Sequence, residues 1–442
     1  MSTKKTQHSA FARVSHISAL ALVAALGTAG QAYAAGYALS EGTADSLGNA
    51  FSGAPAKAYD ASTAYSNPAG MALLQDNELE AGVSFISPTV KFYGTATDPI
   101  TGGNVKGSTG GNGIAPAASA GNFAVFKLAP RWRLGFSVTA PFGQRIAYPQ
   151  SSVVRYQSLV TSVTDINFGL AISYKVNDHL SVGGGPNIDY FQARLTSALN
   201  TPLSAPTGQD AIGDTRGNNI GIGYNLGVLY KFDDATRIGF DYRSRIRHDI
   251  SGSVNVTIPS IYGAYSPALV SALQGFNSAM RTTITLPDMF SAGIYHKVTP
   301  RLALLGSVQW TDWGLFRTLD ITPTNGSPGV VVPENWHTTW YVGVGANYQA
   351  TDKLLLQTGF AFDESPVTNS NRTTRVPDAN RYDFGIGAQY QATPSTTLQI
   401  AYLHLFSPGG NINNSAGPTA GTINGKYTIS DNSVTAGLVT KF

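Results

Sequence analysis

The residues Ile220-Gly221-Ile222-Gly223-Tyr224-Asn225-Leu226-Gly227-Val228-Leu229-Tyr230 alternate without a break. Every even position is a large apolar residue, and the odd positions are glycine, asparagine or leucine. Period two sends successive side chains to opposite faces of a strand, so one face here is fully apolar and the other small. Ile166, Phe168, Leu170, Ile172 and Tyr174 repeat the pattern against Asn167, Gly169, Ala171 and Ser173. Val342 to Tyr348 and Phe384 to Tyr390 do the same. In a soluble sandwich the polar face meets water. In a membrane barrel the apolar face meets lipid and the small face lines the lumen.

The punctuation between strands favours the barrel. Tyr174-Lys175-Val176-Asn177-Asp178, Tyr230-Lys231-Phe232-Asp233-Asp234, Tyr348-Gln349-Ala350-Thr351-Asp352 and Tyr390-Gln391-Ala392-Thr393-Pro394 each end a strand with Tyr and a tight polar turn. Tyr295 to Pro300 is a looser copy, its Tyr on the opposite parity. Short turns at every second connection, longer loops between them and Tyr at the interface are the signature of a transmembrane β-barrel. The alternation of Val434, Ala436 and Leu438 ends on Phe442, the terminal aromatic through which the barrel-assembly machinery is expected to engage the last strand. The fold class expected is all-β: a transmembrane antiparallel barrel of about 14 strands, an even number as single-chain bacterial barrels have. The predicted spans are 78–93, 118–128, 131–147, 161–176, 179–197, 215–232, 235–256, 280–298, 301–320, 335–350, 353–369, 380–392, 395–412 and 428–442. Closure satisfies every backbone donor and acceptor within lipid, which an open sheet cannot do.

Composition agrees. Charged residues are 12% of the 442, against about 25% in soluble domains. Aromatics at 10% argue against disorder. No run of 18 apolar residues offers a membrane helix. Cysteine is absent, which excludes disulfides, thiolate metal sites and thiol nucleophiles. The chain has no G-x-S-x-G, no H-E-x-x-H and no phosphate-binding loop, and His179, His248, His296, His337 and His404 stand in unrelated contexts. No catalytic residue, cofactor or metal ligand is expected, and the chain reads as a channel, not an enzyme. A membrane-embedded lipid hydrolase is the reading from another class, and it lacks a recognisable nucleophile and base.

Residues 1–34 differ from the rest. Lys4, Lys5 and Arg13 precede the apolar run Ile17 to Gly30, and Ala32-Tyr33-Ala34 supplies a small-x-small cleavage pattern. This is a secretory signal peptide. It holds three cations and no acid, so the formal +3 of the whole chain becomes 26 charges of each sign after cleavage. No nucleic-acid partner is indicated. Residues 35–77 then form a small-residue segment that does not alternate. A barrel of this size has a lumen too wide for its own side chains to fill. The segment can fold inside as a plug or extend as a periplasmic tail.

Ala35-Gly36, Gly48-Asn49-Ala50-Phe51-Ser52-Gly53 and Asn67-Pro68-Ala69-Gly70 resemble the FadL-type family of outer-membrane long-chain fatty acid transporters. The resemblance continues through Ala140-Pro141-Phe142-Gly143, Leu286-Pro287-Asp288-Met289 and Trp310-Thr311-Asp312-Trp313. It is most specific at Gly359-Phe360-Ala361-Phe362-Asp363-Glu364-Ser365-Pro366-Val367, then Arg372, Val376-Pro377-Asp378 and Arg381. It implies a fourteen-stranded barrel of the Gram-negative outer membrane, monomeric, among outer-membrane lipid and lipopolysaccharide, with residues 35–77 as a hatch inside residues 78–442. Hydrophobic small molecules, long-chain fatty acids or hydrocarbons, would be captured at outer loops and pass a mobile mature N-terminus at Ala35 and Gly36. They would leave sideways where the third strand kinks at Pro141, Phe142 and Gly143, beside the Asn67-Pro68-Ala69 turn. Proline removes a ladder donor and glycine permits the bend.

Two further groups come from the residues themselves. Leu269, Leu273 and Phe276 fall at helical spacing in an outer loop and make an apolar stripe, either packed on the barrel mouth or open as a landing site. A buried carboxylate headgroup wants a cation, for which Arg145, Arg155 and Arg194 are candidates. The substrate is left between a fatty acid and a neutral hydrocarbon, and a phage-receptor or adhesin role for the loops would be secondary.

Overall fold

The computed structural model describes Gly36, Ala38, residues 42–415 and residues 420–442; the expected leader 1–34 and Ala35 lie outside the described residues. Twenty antiparallel strand segments build fourteen walls. In order these are β1 (Glu78–Ala96), β2 (Ala117–Ala129), β3 (Trp132–Thr139) with β4 (Gly143–Ala147), β5 (Val160–Lys175), β6 (Leu180–Leu199) and β7 (Ala211–Lys231). Then come β8 (Thr236–Arg243) with β9 (Ile246–Thr257), β10 (Ser278–Leu286) with β11 (Met289–Lys297), β12 (Leu302–Thr311) with β13 (Thr318–Pro323), and β14 (Val330–Pro333) with β15 (Thr339–Thr351). β16 (Leu354–Asp363), β17 (Arg381–Thr393), β18 (Thr396–Phe406) with β19 (Gly410–Ser415), and β20 (Thr422–Lys441) complete the ring. β20 pairs with β1 from Glu78↔Lys441 to Ala96↔Ile423, so the barrel closes and no edge strand faces lipid.

The alternation decides which way each side chain points. Ile220, Ile222, Tyr224, Leu226, Val228 and Tyr230 are exposed, Ile222 at 71%, while Gly221, Gly223, Asn225, Gly227 and Leu229 are buried. The apolar face is thus the outer one. Tyr230, Tyr348 and Tyr390 sit on it above the short turns, where an amphipathic ring suits the membrane boundary. Tyr295, of opposite parity, turns inward and meets Tyr59, hydroxyl to hydroxyl at 3.1 Å.

Five predicted strands are interrupted, the thirteenth at residues 407–409. The third breaks at residues 140–142. The seventh and eighth break together at Ser244-Arg245 and Pro287-Asp288, where proline lacks an amide donor. Asp288 stitches that gap, accepting from the Arg245 backbone at 2.9 Å and the Tyr242 hydroxyl at 2.6 Å. The ninth stops at Thr311, because Trp313–Leu315 form a 3-10 turn that folds inward before β13 resumes the wall.

Residues 42–77 are built of helical turns at Ala44–Leu47, Ala54–Lys57 and Thr63–Ser66 and a 3-10 turn at Pro68–Leu73. They touch β17, β18 and β20 on one side, β8, β11 and β12 on another, and β2, β3, β5, β6 and β7 on the rest. The inward glycines make this possible: a Cβ on Gly359 would stand 1.9 Å from the Asn49 carbonyl oxygen.

Candidate functional site

The third wall contains an extra residue. Thr139 pairs with Asn167 and Gly143 with Thr164, so three residues (140–142) face two (165–166). One extra residue reverses the parity of everything beyond it. Arg133, Ser137 and Thr139 point inward, but after the break it is Gln144 and Ile146 that do. The same bulge opens the seam with β2. Ladder pairs run up to Asn122↔Val138 and reappear only as the bridge Ile114↔Ile146. Among the described residues, no pair joins 115–121 to 139–145.

Behind the break lies a set of aromatic rings. Phe142 is buried and meets Trp313 edge-on at 5.9 Å, and Trp336 meets both Trp313 at 5.1 Å and Phe316 at 5.0 Å. The N-terminal residues thread this set. Ala38 bridges Phe142, and Gly36 donates its backbone N–H to the Asp378 carboxylate at 2.9 Å. Asp378 belongs to a charged cluster with Arg381 (3.7 Å), and Arg381 also reaches Asp363 (3.2 Å). Arg372 donates to the Asp378 carbonyl at 2.7 Å, and its burial lowers its pKa. Below the aromatic set, the Trp336 indole donates to buried Glu334 at 3.1 Å. Burial pushes the Glu334 carboxyl up to about 8, against the opposing pull of that hydrogen bond and of Arg375. Burial likewise lowers Arg375 to about 10.

The pre-barrel segment is fixed by a buried ion pair, Lys57 to Asp45 at 2.7 Å. Burial raises the Asp45 pKa, while Lys57 and the amide of Gln357 on the wall oppose it. Gln389 also donates to Asp45 (2.6 Å), and Gln399 to Asp60 (3.0 Å). Asn67 donates to the carbonyls of Pro55 (2.6 Å) and Val228 (3.1 Å) and accepts from Ala69 N–H. Ser181 donates to the Ala69 carbonyl at 2.9 Å, and Ser173 to the same oxygen at 3.3 Å. The Asn67-Pro68-Ala69 turn therefore docks on β5 to β7 at Ser173. That is eight positions along β5 from Asp165, or about 26 Å. The structure does not bring this turn to the break. Ala38 stands there instead.

The loop stripe divides. Leu269 and Leu273, on the helix Pro267–Gln274, pack with Leu199, Leu203, Ala211 and Tyr262, while Phe276 is 39% exposed. Tyr262 ties the two outer loops together, donating to the Gln209 carbonyl at 2.7 Å with Thr201 Oγ1 at 2.9 Å. The three arginines lie outside the lumen. Arg145 and Arg194 both pair with Ser162 on the outer face and are exposed. The reversed parity is what turns Arg145 outward. Arg194 binds Asp214 with two donors, at 3.0 and 2.9 Å, beside Arg216. Arg155 joins outer loops through Asp210 (2.8 Å) and the Lys106 carbonyl (2.9 Å).

A cavity connects these parts. It is lined by Ala140 and Pro141 at the break, Ser119 on the stretch of β2 that pairs with β1 but not with the third wall, Phe51 and Tyr65 of the pre-barrel segment, and Trp313. Its charged wall is Asp241, Arg243, Asp363, Arg381 and Asp383. Arg243 lies over the Tyr65 ring at 3.9 Å and donates to the Tyr65 carbonyl at 2.8 Å. Sequence reasoning assigned no role to Arg243 or Trp336. Arg381 and Trp313 stood only within quoted motifs, since inward parity next to a strand break was their only signal.

Residues 25–442 match the family described as Outer membrane protein transport protein (OMPP1/FadL/TodX). The chain is 28% identical over 391 residues to the long-chain fatty acid transport protein of Escherichia coli (strain K12), covering 83% of this chain and 86% of the relative. It is 29% identical over 375 residues to the 47 kDa outer membrane protein of Pasteurella multocida (strain Pm70), covering 82% and 84%. Its fold is similar to the crystal structure of a Pseudomonas aeruginosa FadL homologue (TM-score 0.87, 23% identical, 92% of this chain and 100% of that chain). It is also similar to the Ralstonia pickettii toluene transporter TbuX (TM-score 0.66, 16% identical, 91% and 99%). The chain is an outer-membrane β-barrel and belongs to the OMPP1/FadL/TodX family of outer membrane transport proteins.

Proposed function

We propose that this chain carries hydrophobic compounds, long-chain fatty acids first among them, passively across the outer membrane and releases them sideways at the break in the third wall. One observation carries the reading: an internal cavity with aromatic lining reaches the stretch where 115–121 and 139–145 share no ladder pairs. A hydrocarbon leaving there enters lipid without crossing the aqueous periplasm. Residues 42–77 act as the hatch. Gly36 and Ala38, tied to Asp378 and Phe142, are the residues a ligand displaces. The exposed Tyr265 and Phe276 offer apolar area at the mouth. The outward Arg145, Arg194 and Arg216 suit the phosphates of lipopolysaccharide.

A 28% identity to long-chain fatty acid transport proteins favours a fatty acid, whose carboxylate Arg243 and Arg381 could receive. A neutral hydrocarbon is the second reading, supported by the excess of acids over arginines in that wall. Uptake of labelled oleate and of toluene, in a strain lacking the protein and in one complemented with it, separates them. Oleate uptake restored by complementation supports the first reading and toluene alone the second. No change for either compound sinks both.

A further inference from the structure

We propose that the inner wall beside the break holds a divalent transition-metal site, of the zinc class, made by Asp165, Asp189 and His248. One oxygen of each carboxylate and one imidazole nitrogen lie within 4.8 Å of one another, and all three residues are buried, Asp165 and His248 at 0% and Asp189 at 1% exposed. They come from three walls. Asp165 stands on β5 directly opposite residues 140–142, Asp189 pairs with Asn167 from β6, and His248 comes from β9.

Two independent observations point to a ligand. Among the described residues, both carboxylate oxygens of Asp165 and both ring nitrogens of His248 have no hydrogen-bond partner. Buried polar groups are bonded in more than about nine cases in ten, and a buried carboxylate costs heavily unless paired, protonated or bound to metal. Asp189 accepts a short bond from the Asn167 amide, whose own Oδ1 is again unpartnered. Arg243, the cation lining the cavity nearby, acts on Asp189 only through its charge and is engaged with Tyr65, and among the described residues no ion pair joins Asp165 or Asp189.

The wall is also shaped for the imidazole. Gly221 lies opposite Asp189 in the ladder, and a Cβ there would stand 2.7 Å from His248 Cε1. The missing side chain lets the ring lean across β7 toward the carboxylates. Phe191, paired with Asp165, stacks on the ring at 5.0 Å and fixes its plane. Ligand atoms around a tetrahedral ion stand roughly 3.4 Å apart, so the three must close by about 1 Å to bind. An imidazole with two carboxylates favours zinc or its first-row neighbours over calcium or magnesium, which prefer all-oxygen shells. Asn167 is the positioning residue for Asp189.

The test uses the full chain purified in detergent, stripped with EDTA, equilibrated with zinc and measured for bound metal against a competing chromophoric chelator. One zinc per chain is expected. Asp165→Asn and His248→Ala should abolish it, Asn167→Ala should weaken it roughly 10–100-fold, and Gly221→Ala should weaken it by displacing the ring. His404→Ala, at a half-buried histidine far from the three ligands in the ladder, should leave it unchanged. Heat-modifiable migration on a gel reports that each barrel is folded. A folded wild-type chain that takes up no more zinc than the Asp165→Asn/His248→Ala double variant overturns the proposal. So does zinc uptake that His404→Ala removes.

Discussion

Gly36 is where a single residue governs the contact of the N-terminal residues with the break. Its φ of +70° lies in the left-handed region, and a Cβ there would stand 2.7 Å from the Trp336 ring. A Gly36→Val substitution meets both obstacles, at a cost of about 1–3 kcal/mol. The residue must then leave its seat between Trp336 and Asp378, and the Ala38–Phe142 bridge goes with it. At tenfold per 1.4 kcal/mol, backbone exchange at 138–146 should speed roughly ten- to a hundredfold while the barrel stays folded. Unaltered exchange there would separate Gly36 from the break. Glu334 acts on the same aromatic set through protonation. Its folded pKa of about 8 stands above the ordinary 4.5, so its contribution to stability is complete below about 4.5 and is lost as pH rises through 8. Ionisation leaves a buried charge beside the Trp336 indole. Tryptophan emission should therefore change with a midpoint near pH 8 in the wild type and not in Glu334→Gln; identical titrations would refute the link.

At the scale of elements the break is a matter of one residue. Removing Pro141 leaves two residues opposite 165–166, so the ladder from Thr139↔Asn167 to Gly143↔Thr164 becomes continuous. It also removes the residue that cannot donate. The straightened wall can then pair with residues 117–121 of β2 and close the seam. Uptake should fall at least severalfold with the amount of folded barrel unchanged, and a folded Pro141 deletion with full uptake would discard the lateral exit. Walls such as 220–230 were legible in the sequence because lipid tolerates only the apolar face outward, which leaves the period-two signal unmixed. The break was legible as a proline and a glycine, but the parity change it causes was not, and so Arg145 was sought in the lumen and stands outside it. The Asp165, Asp189 and His248 grouping was illegible for another reason. Its members sit on three walls whose register, not their spacing in the chain, brings them together.

For the molecule as a whole, the question is what fills a fourteen-walled lumen. The inner faces are rich in glycine and carry amides such as Gln357, Gln389 and Gln399, too little volume to close a barrel of this circumference. Residues 42–77 pack against those small residues, with the Lys57–Asp45 pair inside the segment and amides donated to it from β16, β17 and β18. Barrel closure is independent of them, because β1 and β20 pair directly with each other from Glu78 onward. A chain lacking residues 42–76 should therefore still fold, with water replacing the segment against the freed amides and carboxylates. If the segment is the hatch, this truncated barrel conducts ions steadily across a planar bilayer while the full chain does not. Conductance should vanish again when Phe51, Tyr65 and their neighbours are restored. A truncated barrel that is folded by heat-modifiable migration yet electrically silent would mean that other residues close the lumen, and the hatch assignment would fall with it.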